Sequence, residues 1–206
     1  WFTFGDEKGG ALPDLVAWHK IIDLAAAHAM LRPEGNFTLY PGKHALTIQL
    51  HKGQFLGDVA FNLPAKSLLK ANTGIGKTTY AVNLPGKVLL VVPTQAILEQ
   101  QAFRNPGSQV CYQHADTVTP GGGQLIITTP DSLPKVLKKI DAAAYSLVVD
   151  EAHNFAVAGY RKRAYDNVVR LLNGDWQRVI LMTGTPLPLV TGNLEIFQSV
   201  AVQSPT

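Results

Sequence analysis

The glycine-rich run A-N-T-G-I-G-K-T at residues 71–78 constrains the fold of this chain more than any other part of its sequence. A strand-like segment, residues 67–70, leads into the run, and a helix-compatible segment, residues 78–82, leads out of it. In a strand–loop–helix unit of this kind, backbone N–H groups of the loop and of the helix N-terminus converge on a polyphosphate. The run therefore predicts a phosphate-binding loop, although by itself it also matches an ordinary glycine-rich turn.

The residue types in this run suit a bound nucleoside triphosphate. Lys77 is expected to reach the terminal phosphates, and the hydroxyl of Thr78 is expected to bind the Mg²⁺ ion that accompanies them. Ala71 takes the place of the usual first glycine and is small enough for a tight turn. The residues predicted to bind the nucleotide are Ala71, Asn72, Thr73, Gly74, Ile75, Gly76, Lys77, Thr78 and Thr79.

A second, acidic segment is predicted to complete the site. Residues 147–149 form an apolar run that ends in Asp150 and Glu151, which is the pattern of a buried parallel strand with two acids at its carboxyl end. Ligands bind at this edge in open α/β sheets. Asp150 is expected to hold the Mg²⁺ ion and Glu151 to orient a water molecule for attack on the γ-phosphate, so that these acids and Lys77 are the predicted catalytic residues. A surface pair that caps the next helix is the alternative interpretation.

Strand-like and helical segments alternate along the chain from residue 67 onward. Strands are predicted at residues 67–70, 88–92, 110–112, 125–129, 146–150 and 179–183. Helices are predicted between them at residues 94–103, 131–140 and 161–172. This alternation indicates an α/β fold with a mostly parallel sheet covered by helices on both faces.

The segments on either side of this region are predicted to be separate from it. We expect an N-terminal appendage at residues 1–62, the nucleotide-binding domain at residues 63–190 and a linker at residues 191–206. Because the chain begins with Trp1 and not with methionine, we expect it to be a segment of a longer protein.

The appendage is predicted to consist of a helix and a hairpin. Apolar side chains recur at helical spacing over residues 12–32. Two β-like runs follow at residues 37–40 and 45–50, and the P-G-K-H sequence that joins them favours a turn.

Composition limits the location and the chemistry of the chain. Its net charge of +3 permits nucleic-acid binding without indicating it. The sequence has no apolar stretch of the ~20 residues that a membrane span requires and no signal peptide, so no membrane partner is predicted. The single cysteine, Cys111, fits a reducing cytoplasm, which is the predicted location, and makes a zinc cluster implausible.

Five motifs, in the correct order, make the chain similar to the first RecA-like lobe of a superfamily 2 helicase or translocase. They are A-N-T-G-I-G-K-T at residues 71–78, V-V-P-T at 91–94, I-I-T-T-P-D-S-L at 126–133, D-E-A-H at 150–153 and L-M-T-G-T-P at 181–186. The resemblance covers residues 67–190, and its strength comes from the order of the motifs, since each motif alone is weak.

The resemblance implies contacts to a nucleic-acid backbone from the second and third of these motifs. The residues in question are Pro93, Thr94, Thr129 and Asp131. Hydroxyls and helix N-terminal amides at the sheet edge bond phosphate oxygens without reading bases. Ordinary capping of the two following helices explains the same residue types.

Three residues are implied to couple hydrolysis to movement between lobes: His153, Thr183 and Thr185. Considered without the resemblance, a lone histidine after a strand is typical of a polar residue bonded to a neighbouring loop. In many helicases of this superfamily, an aromatic residue and a glutamine upstream of the first motif contact the adenine, and Gln54 and Phe55 match that arrangement loosely.

The activity implied by the resemblance is ATP hydrolysis, with ATP and Mg²⁺ as ligands, coupled to movement on or unwinding of nucleic acid. A second RecA-like lobe of the same longer chain is the implied partner, since it supplies the arginine fingers that this chain lacks, and the isolated chain is expected to be weakly active. The T-G-T-P variant favours DNA over RNA as the nucleic-acid partner. A translocase on double-stranded DNA and a non-motor switch that responds to nucleotide are the alternatives.

Overall fold

The computed structural model describes residues 2–3, 8–9, 46–154, 162–184 and 198–203. The chain divides into two compact units, Trp1–Leu39 with Val190–Asn193, and Tyr40–Leu189 with Leu194–Thr206. In the first unit the described strands are β1 (Phe2–Thr3) and β2 (Lys8–Gly9), which pair in antiparallel fashion. The predicted helix at residues 12–32 and the predicted strand at residues 37–40 lie outside the described residues.

The second unit is built on a nine-stranded sheet. Its strands are β3 (Leu46–Gln49), β4 (Lys66–Lys70), β5 (Lys87–Val91), β6 (Gln109–Tyr112), β7 (Ala115–Asp116), β8 (Leu125–Thr128), β9 (Tyr145–Val149), β10 (Arg178–Thr183) and β11 (Gln198–Gln203). They lie in the order β3-β11-β4-β10-β9-β5-β8-β6-β7. Every neighbouring pair is parallel except the short β6–β7 hairpin at one edge.

Helices connect the strands. The described α-helices of this unit are α1 (Lys77–Val82), α2 (Gln95–Arg104), α3 (Leu133–Leu137) and α4 (Lys162–Leu171). Two 3₁₀ turns lie at Leu56–Asp58 and Ala142–Ala144. Among the described residues, no helix has both the length and the apolar character needed to cross a membrane.

The core has one layer on each face of the sheet, which confirms the predicted architecture. On β5, Leu89 and Val91 pack with the buried residues of α3 and α4, whereas Val88 and Leu90 pack with those of α1 and α2. Successive strand residues point to opposite faces, and helices cover both faces, so the buried residues 88–91 of this strand are all apolar. Each such side chain contributes about 1.5–3 kcal/mol on full burial.

The sheet extends past both predicted domain boundaries. β3 lies before residue 63 and β11 after residue 190, and β11 inserts between β3 and β4 in parallel register, with Val200 opposite both Leu46 and Leu69. Residues 46–49 and 198–203 are thus strands of the nucleotide-domain sheet. Parallel pairing joins segments that are distant in sequence, so local periodicity could not identify these partners.

Candidate functional site

The glycine-rich loop lies between β4 and α1. Gly74 and Gly76 both have φ of +86°, a conformation that glycine adopts without the steric penalty of a Cβ atom. The loop folds around the side chain of Lys77, which is only 7% exposed. Its Nζ donates to the carbonyl oxygens of Ala71 and Asn72 at 2.9 Å each. The ammonium group is therefore held inside the loop, close to the place where a phosphate would bind.

The acidic segment meets this loop directly. Asp150 follows β9 and is 8% exposed, and the hydroxyl of Thr78 donates to its Oδ2 at 3.1 Å. The backbone N–H of Glu151 donates to the other oxygen, Oδ1, at 3.0 Å. β10 pairs with both β4 and β9, so the ends of these two strands lie one strand apart at the same edge of the sheet.

Burial raises the pKa of Asp150 above the ordinary value of 3.8, and the nearby charge of Glu151 adds to the increase. Hydrogen bonds from Thr78 and from the Glu151 backbone, together with the charge of Lys77, act in the opposite direction. The negative charge of Asp150 is thus only partly balanced by its neighbours, and a divalent cation bound beside it would stabilise the charged carboxylate.

Glu151 has an unusual backbone. Its φ of 48° places a non-glycine residue in the left-handed region, at a cost of roughly 1–2 kcal/mol. Its Oε2 is buried and lies 3.1 Å from Nδ1 of His153, without a well-aligned hydrogen bond. This contact is an ion pair only when the imidazole is protonated. The strained backbone and the buried oxygen are typical of a functional position.

His153 lies between the acidic segment and the end of β10. Its Nδ1 is 3.3 Å from Oγ1 of Thr183. The Thr183 carbonyl in turn accepts a hydrogen bond from the N–H of Ala71, at 3.1 Å. Two of the three predicted coupling residues therefore contact each other, and one of them, Thr183, also contacts the phosphate loop. Thr185 lies outside the described residues.

Gly184 approaches the loop closely. A Cβ atom at this position would lie 3.2 Å from Oγ1 of Thr73 and 3.4 Å from Nζ of Lys77. The end of β10 therefore contacts the phosphate loop through backbone atoms, and a larger residue would press on the lysine.

An open cleft of about 660 Å³ joins these groups. It is lined by Phe55, Gly57, Asp58, Thr73, Gly74, Gly76, Lys77, Thr78, Thr79, Asn83, Gln101, Arg104, Asp150 and Glu151. Mg²⁺ commonly binds through one or two carboxylates plus substrate phosphates, and the Thr78 hydroxyl and Asp150 carboxylate suit that donor set. Within the described ranges, no group of three or more His, Cys, Asp or Glu residues is arranged to hold a metal ion without a phosphate ligand.

The residues predicted to contact a nucleic-acid backbone follow β5 and β8. Thr94 is exposed and caps α2, where its Oγ1 accepts a hydrogen bond from the N–H of Ile97 at 3.3 Å. Pro93 is buried, Thr129 is 6% exposed and Asp131 is exposed. Thr94 therefore caps α2, which was the alternative interpretation of its motif. Because Thr129 is buried, its hydroxyl is not freely exposed, and a phosphate contact at this residue requires other atoms.

The upstream pair divides between two environments. Phe55 is 55% exposed, lines the cleft and lies near Gly76. Gln54 does not line the cleft, and its Oε1 accepts a hydrogen bond from the N–H of His51 at 2.8 Å.

Besides Gly57 and Asp58, which follow Phe55 closely in the sequence, three residues of the cleft wall were not predicted from the sequence: Asn83, Gln101 and Arg104. They belong to no motif, and their place in the cleft depends on how α1 and α2 pack on the same face of the sheet. Gln101 and Arg104 lie in a predicted helix, and their spacing is equally typical of a helix face that lines a cleft and of one that is exposed to solvent.

Comparisons with known proteins agree with this geometry. A family model described as DEAD/DEAH box helicase matches residues 58–190. S. cerevisiae Dbp5 bound to RNA and ADP BeF3 is similar in structure, with a TM-score of 0.52 and 17% identity over 69% of this chain and 42% of that chain. A hypothetical ATP-dependent RNA helicase from Sulfolobus tokodaii has a TM-score of 0.52 and 17% identity over 66% of this chain and 48% of that chain. No curated protein matches the sequence significantly.

These likenesses differ in what they establish. At 17% identity the solved structures show a shared fold alone, which is that of a RecA-like lobe. This chain spans less than half the length of either structure. The family model covers more than half of this chain and includes the phosphate loop and the acidic segment. The chain therefore belongs to the DEAD/DEAH box helicase family, as a domain with the RecA-like fold.

Proposed function

We propose that this chain binds ATP with Mg²⁺ and hydrolyses it, as the first motor lobe of a nucleic-acid helicase. The observation that carries the proposal is the hydrogen bond between Thr78 and Asp150, which joins the phosphate loop to the acidic segment across 72 residues of sequence. A surface Asp-Glu pair that only caps the next helix would not be expected to accept a hydrogen bond from the hydroxyl of Thr78 in a partly buried position.

Each polar group of the site has a separate task in this proposal. Lys77 leaves its two carbonyl partners and binds the terminal phosphates, which replace those partners with a stronger, charge-assisted contact. Thr78 and Asp150 would hold the Mg²⁺ ion, which when bound neutralises charge on the phosphate oxygens. Glu151 orients a water molecule and accepts its proton.

His153 and Thr183 are proposed to couple the site to movement. Since His153 contacts both Glu151 and Thr183, a change at the acid alters the end of β10. The Thr183 carbonyl holds the loop through Ala71, so the same change reaches the phosphate loop. Thr185, which follows in the same motif, is proposed to take part in this coupling.

The nucleic-acid partner is proposed to bind along the carboxyl edge of the sheet, near Pro93, Thr94, Thr129 and Asp131. Dbp5 is described as bound to RNA, and the Sulfolobus protein as an RNA helicase. The preference for DNA that the T-G-T-P motif favours stays a prediction. Competition between single-stranded DNA and RNA of the same sequence tests it, and tighter binding of RNA contradicts it.

A second RecA-like lobe is proposed to complete the site. An arginine finger contributes about 10³–10⁵ to the hydrolysis rate, so the isolated chain is expected to hydrolyse ATP slowly whether or not nucleic acid is present. Turnover by this chain alone at the rate of a two-lobe helicase contradicts that expectation.

Two substitutions test the ATPase proposal. Lys77→Ala is expected to abolish ATP binding, because it removes the ammonium group that is held inside the phosphate loop. Glu151→Gln is expected to retain ATP binding and lose hydrolysis, because an amide does not accept the proton of water. Lys138→Ala, which removes an exposed lysine after α3, is the matched control and should change neither property.

The measurements are ATP affinity by calorimetry and phosphate release under single-turnover conditions. Equal ATP affinity in wild type and Lys77→Ala overturns the proposal. Strand displacement and triplex displacement by a longer protein that contains this chain distinguish a helicase from a translocase on double-stranded DNA.

A further inference from the structure

The strands β6 and β7 form a hairpin whose turn lies at the carboxyl edge of the sheet. Tyr112 ends β6, Gln113 and His114 form the turn, and Ala115 begins β7. β6 pairs in parallel with β8, so its end lies beside the end of β8 and the Thr129 that follows. The turn therefore continues the row of strand ends along which nucleic acid is proposed to bind.

Two aromatic rings meet at this turn. The ring centroids of Tyr112 and His114 are 6.4 Å apart, and the rings are nearly perpendicular, at 87°, which is a favourable edge-to-face arrangement. Tyr112 is partly buried and packs against the core layer that contains the buried residues of α1 and α2. His114 is exposed. One ring is thus anchored in the fold, and it supports a second ring that is open to solvent.

Positive and negative groups around the hairpin balance. Nζ of Lys139 lies 2.9 Å from Oδ1 of Asp116, on β7. This hydrogen bond lowers the pKa of Asp116, and the charge of Lys135 on α3 acts in the same direction. Burial raises the pKa of the Tyr112 hydroxyl, and the charge of Glu99 on α2 raises it further. Two lysines and two acids give the hairpin little net attraction for phosphate, so its distinctive feature is the exposed ring.

We propose that His114 stacks against one base of a single-stranded nucleic acid bound along the carboxyl edge. This inference rests on the proposed nucleic-acid binding. The contacts proposed near Thr94 and Thr129 are to the backbone, whereas a ring accepts a base of any sequence, because every base has a flat π face. Bases within a duplex are already stacked on each other, so this contact favours an unpaired strand.

The test is the affinity of this chain for labelled oligothymidylate, measured by fluorescence anisotropy at low salt, where backbone contacts are strongest. His114→Ala is expected to weaken binding by roughly 5- to 150-fold, the range for the loss of one base–aromatic stack. His114→Phe keeps a flat ring without an ionisable group and should bind nearly as well as wild type. His51→Ala removes an exposed histidine after β3, at the other end of the sheet, and is the matched control.

An abasic strand of the same length separates stacking from backbone contact. It has phosphates but no bases, so wild type and His114→Ala should bind it equally, and the same is expected for duplex DNA. An equal loss of affinity for the abasic strand and for oligothymidylate overturns the proposal, because His114 would then contact the backbone. Binding by His114→Phe that is as weak as binding by His114→Ala contradicts stacking as well.

The failure of this inference differs from the failure of the proposed function. If His114→Ala binds oligothymidylate as tightly as wild type does, the stacking contact is ruled out and nucleic-acid binding stands. If wild type binds no oligonucleotide, the proposed nucleic-acid contacts fall and this inference with them. ATP affinity, measured by calorimetry, should be equal in all variants, since the hairpin does not line the cleft.

Discussion

At the scale of single residues, the site combines conformations and charges that the rest of the fold must hold in place. Gly74 and Gly76 have positive φ, and Glu151 has a positive φ without being glycine. Asp150 is buried next to another acid. The backbone of Glu151 and the buried charge of Asp150 lower stability, and together with the two glycine turns they position the ammonium, hydroxyl and carboxylates around one cleft.

The first prediction separates backbone strain from function. In Gly76→Ala, the new Cβ would lie 3.5 Å from Phe55, an ordinary contact, so the cost comes from φ of +86° and is expected to be about 1–2 kcal/mol. Gly107→Ala has φ of +96° and nothing within 4 Å, so its loss of stability should be similar. Only Gly76→Ala should also weaken ATP binding. Urea unfolding and calorimetry measure the two effects, and equal ATP affinity in both variants contradicts the prediction.

The second prediction concerns pH. Because the pKa of Asp150 is raised in the folded state, that state holds the proton more tightly than the unfolded chain does. The free energy of unfolding of the metal-free protein should therefore fall as pH rises from 3.8 through the raised value. Asp150→Asn removes this loss while keeping an acceptor for Thr78, so it should be more stable than wild type near neutral pH.

Urea unfolding without metal, from acid to neutral pH, measures this difference. The advantage of Asp150→Asn should shrink on acidification, as Asp150 in wild type becomes protonated. A difference in stability that is the same at every pH shows that the charge of Asp150 is not its cause.

At the scale of elements, α2 has two separate tasks. Its first turn is capped by Thr94 at the carboxyl edge of the sheet, and its last turns form a wall of the cleft through Gln101 and Arg104. The helix also packs Leu98 into the core, which fixes its distance from the sheet. A change at the cap therefore acts on stability first and on ligands only indirectly.

The third prediction tests the cap. Thr94→Ala should lower the free energy of unfolding by about 1 kcal/mol, because the N–H of Ile97 loses its acceptor. Thr94→Ser keeps a hydroxyl acceptor and should restore most of the loss. Urea unfolding measures both variants. If Thr94→Ser is as unstable as Thr94→Ala, the hydroxyl is not the stabilising group.

At the scale of the whole molecule, the last described strand of the chain is inserted between two strands that come much earlier in the sequence. β11 lies between β3 and β4, and its Val200, Ala201 and Val202 are at most 8% exposed. β4 carries the phosphate loop, so the strand that positions the loop has β10 on one side and β11 on the other. The stability of the site therefore depends on residues far from it in sequence.

The fourth prediction is that a chain ending at residue 197 loses most of its stability. Removal of β11 exposes the edge of β4, detaches β3 and removes two buried valines worth about 1.5–3 kcal/mol each. This is a large fraction of the roughly 5–15 kcal/mol of a typical domain. Thermal unfolding followed by circular dichroism measures it, with a chain ending at Gln203 as the control. Equal melting temperatures of the two chains contradict the position of β11.

Much of the fold followed from local patterns. The strands predicted at residues 88–92 and 146–150 are buried along their whole length, so their sequences are nearly continuous apolar runs that are easily recognised. β3 and β11 are shorter or flanked by polar residues, and their pairing is parallel and distant in sequence, so no local pattern showed that they join the sheet.

The sequence by itself determined the chemistry of the phosphate loop and the acidic segment. A site for a polyphosphate and its metal ion requires glycine, lysine, threonine and paired acids, and this requirement does not depend on the surrounding structure. Only the tertiary structure decided which side chains share the cleft. Gln54 turns back to His51 while Gln101 faces the cleft from α2, and nothing in either residue's neighbours along the chain distinguishes the two. That choice is made by the packing of α1 and α2 on one face of the sheet, which is a property of contacts between distant segments.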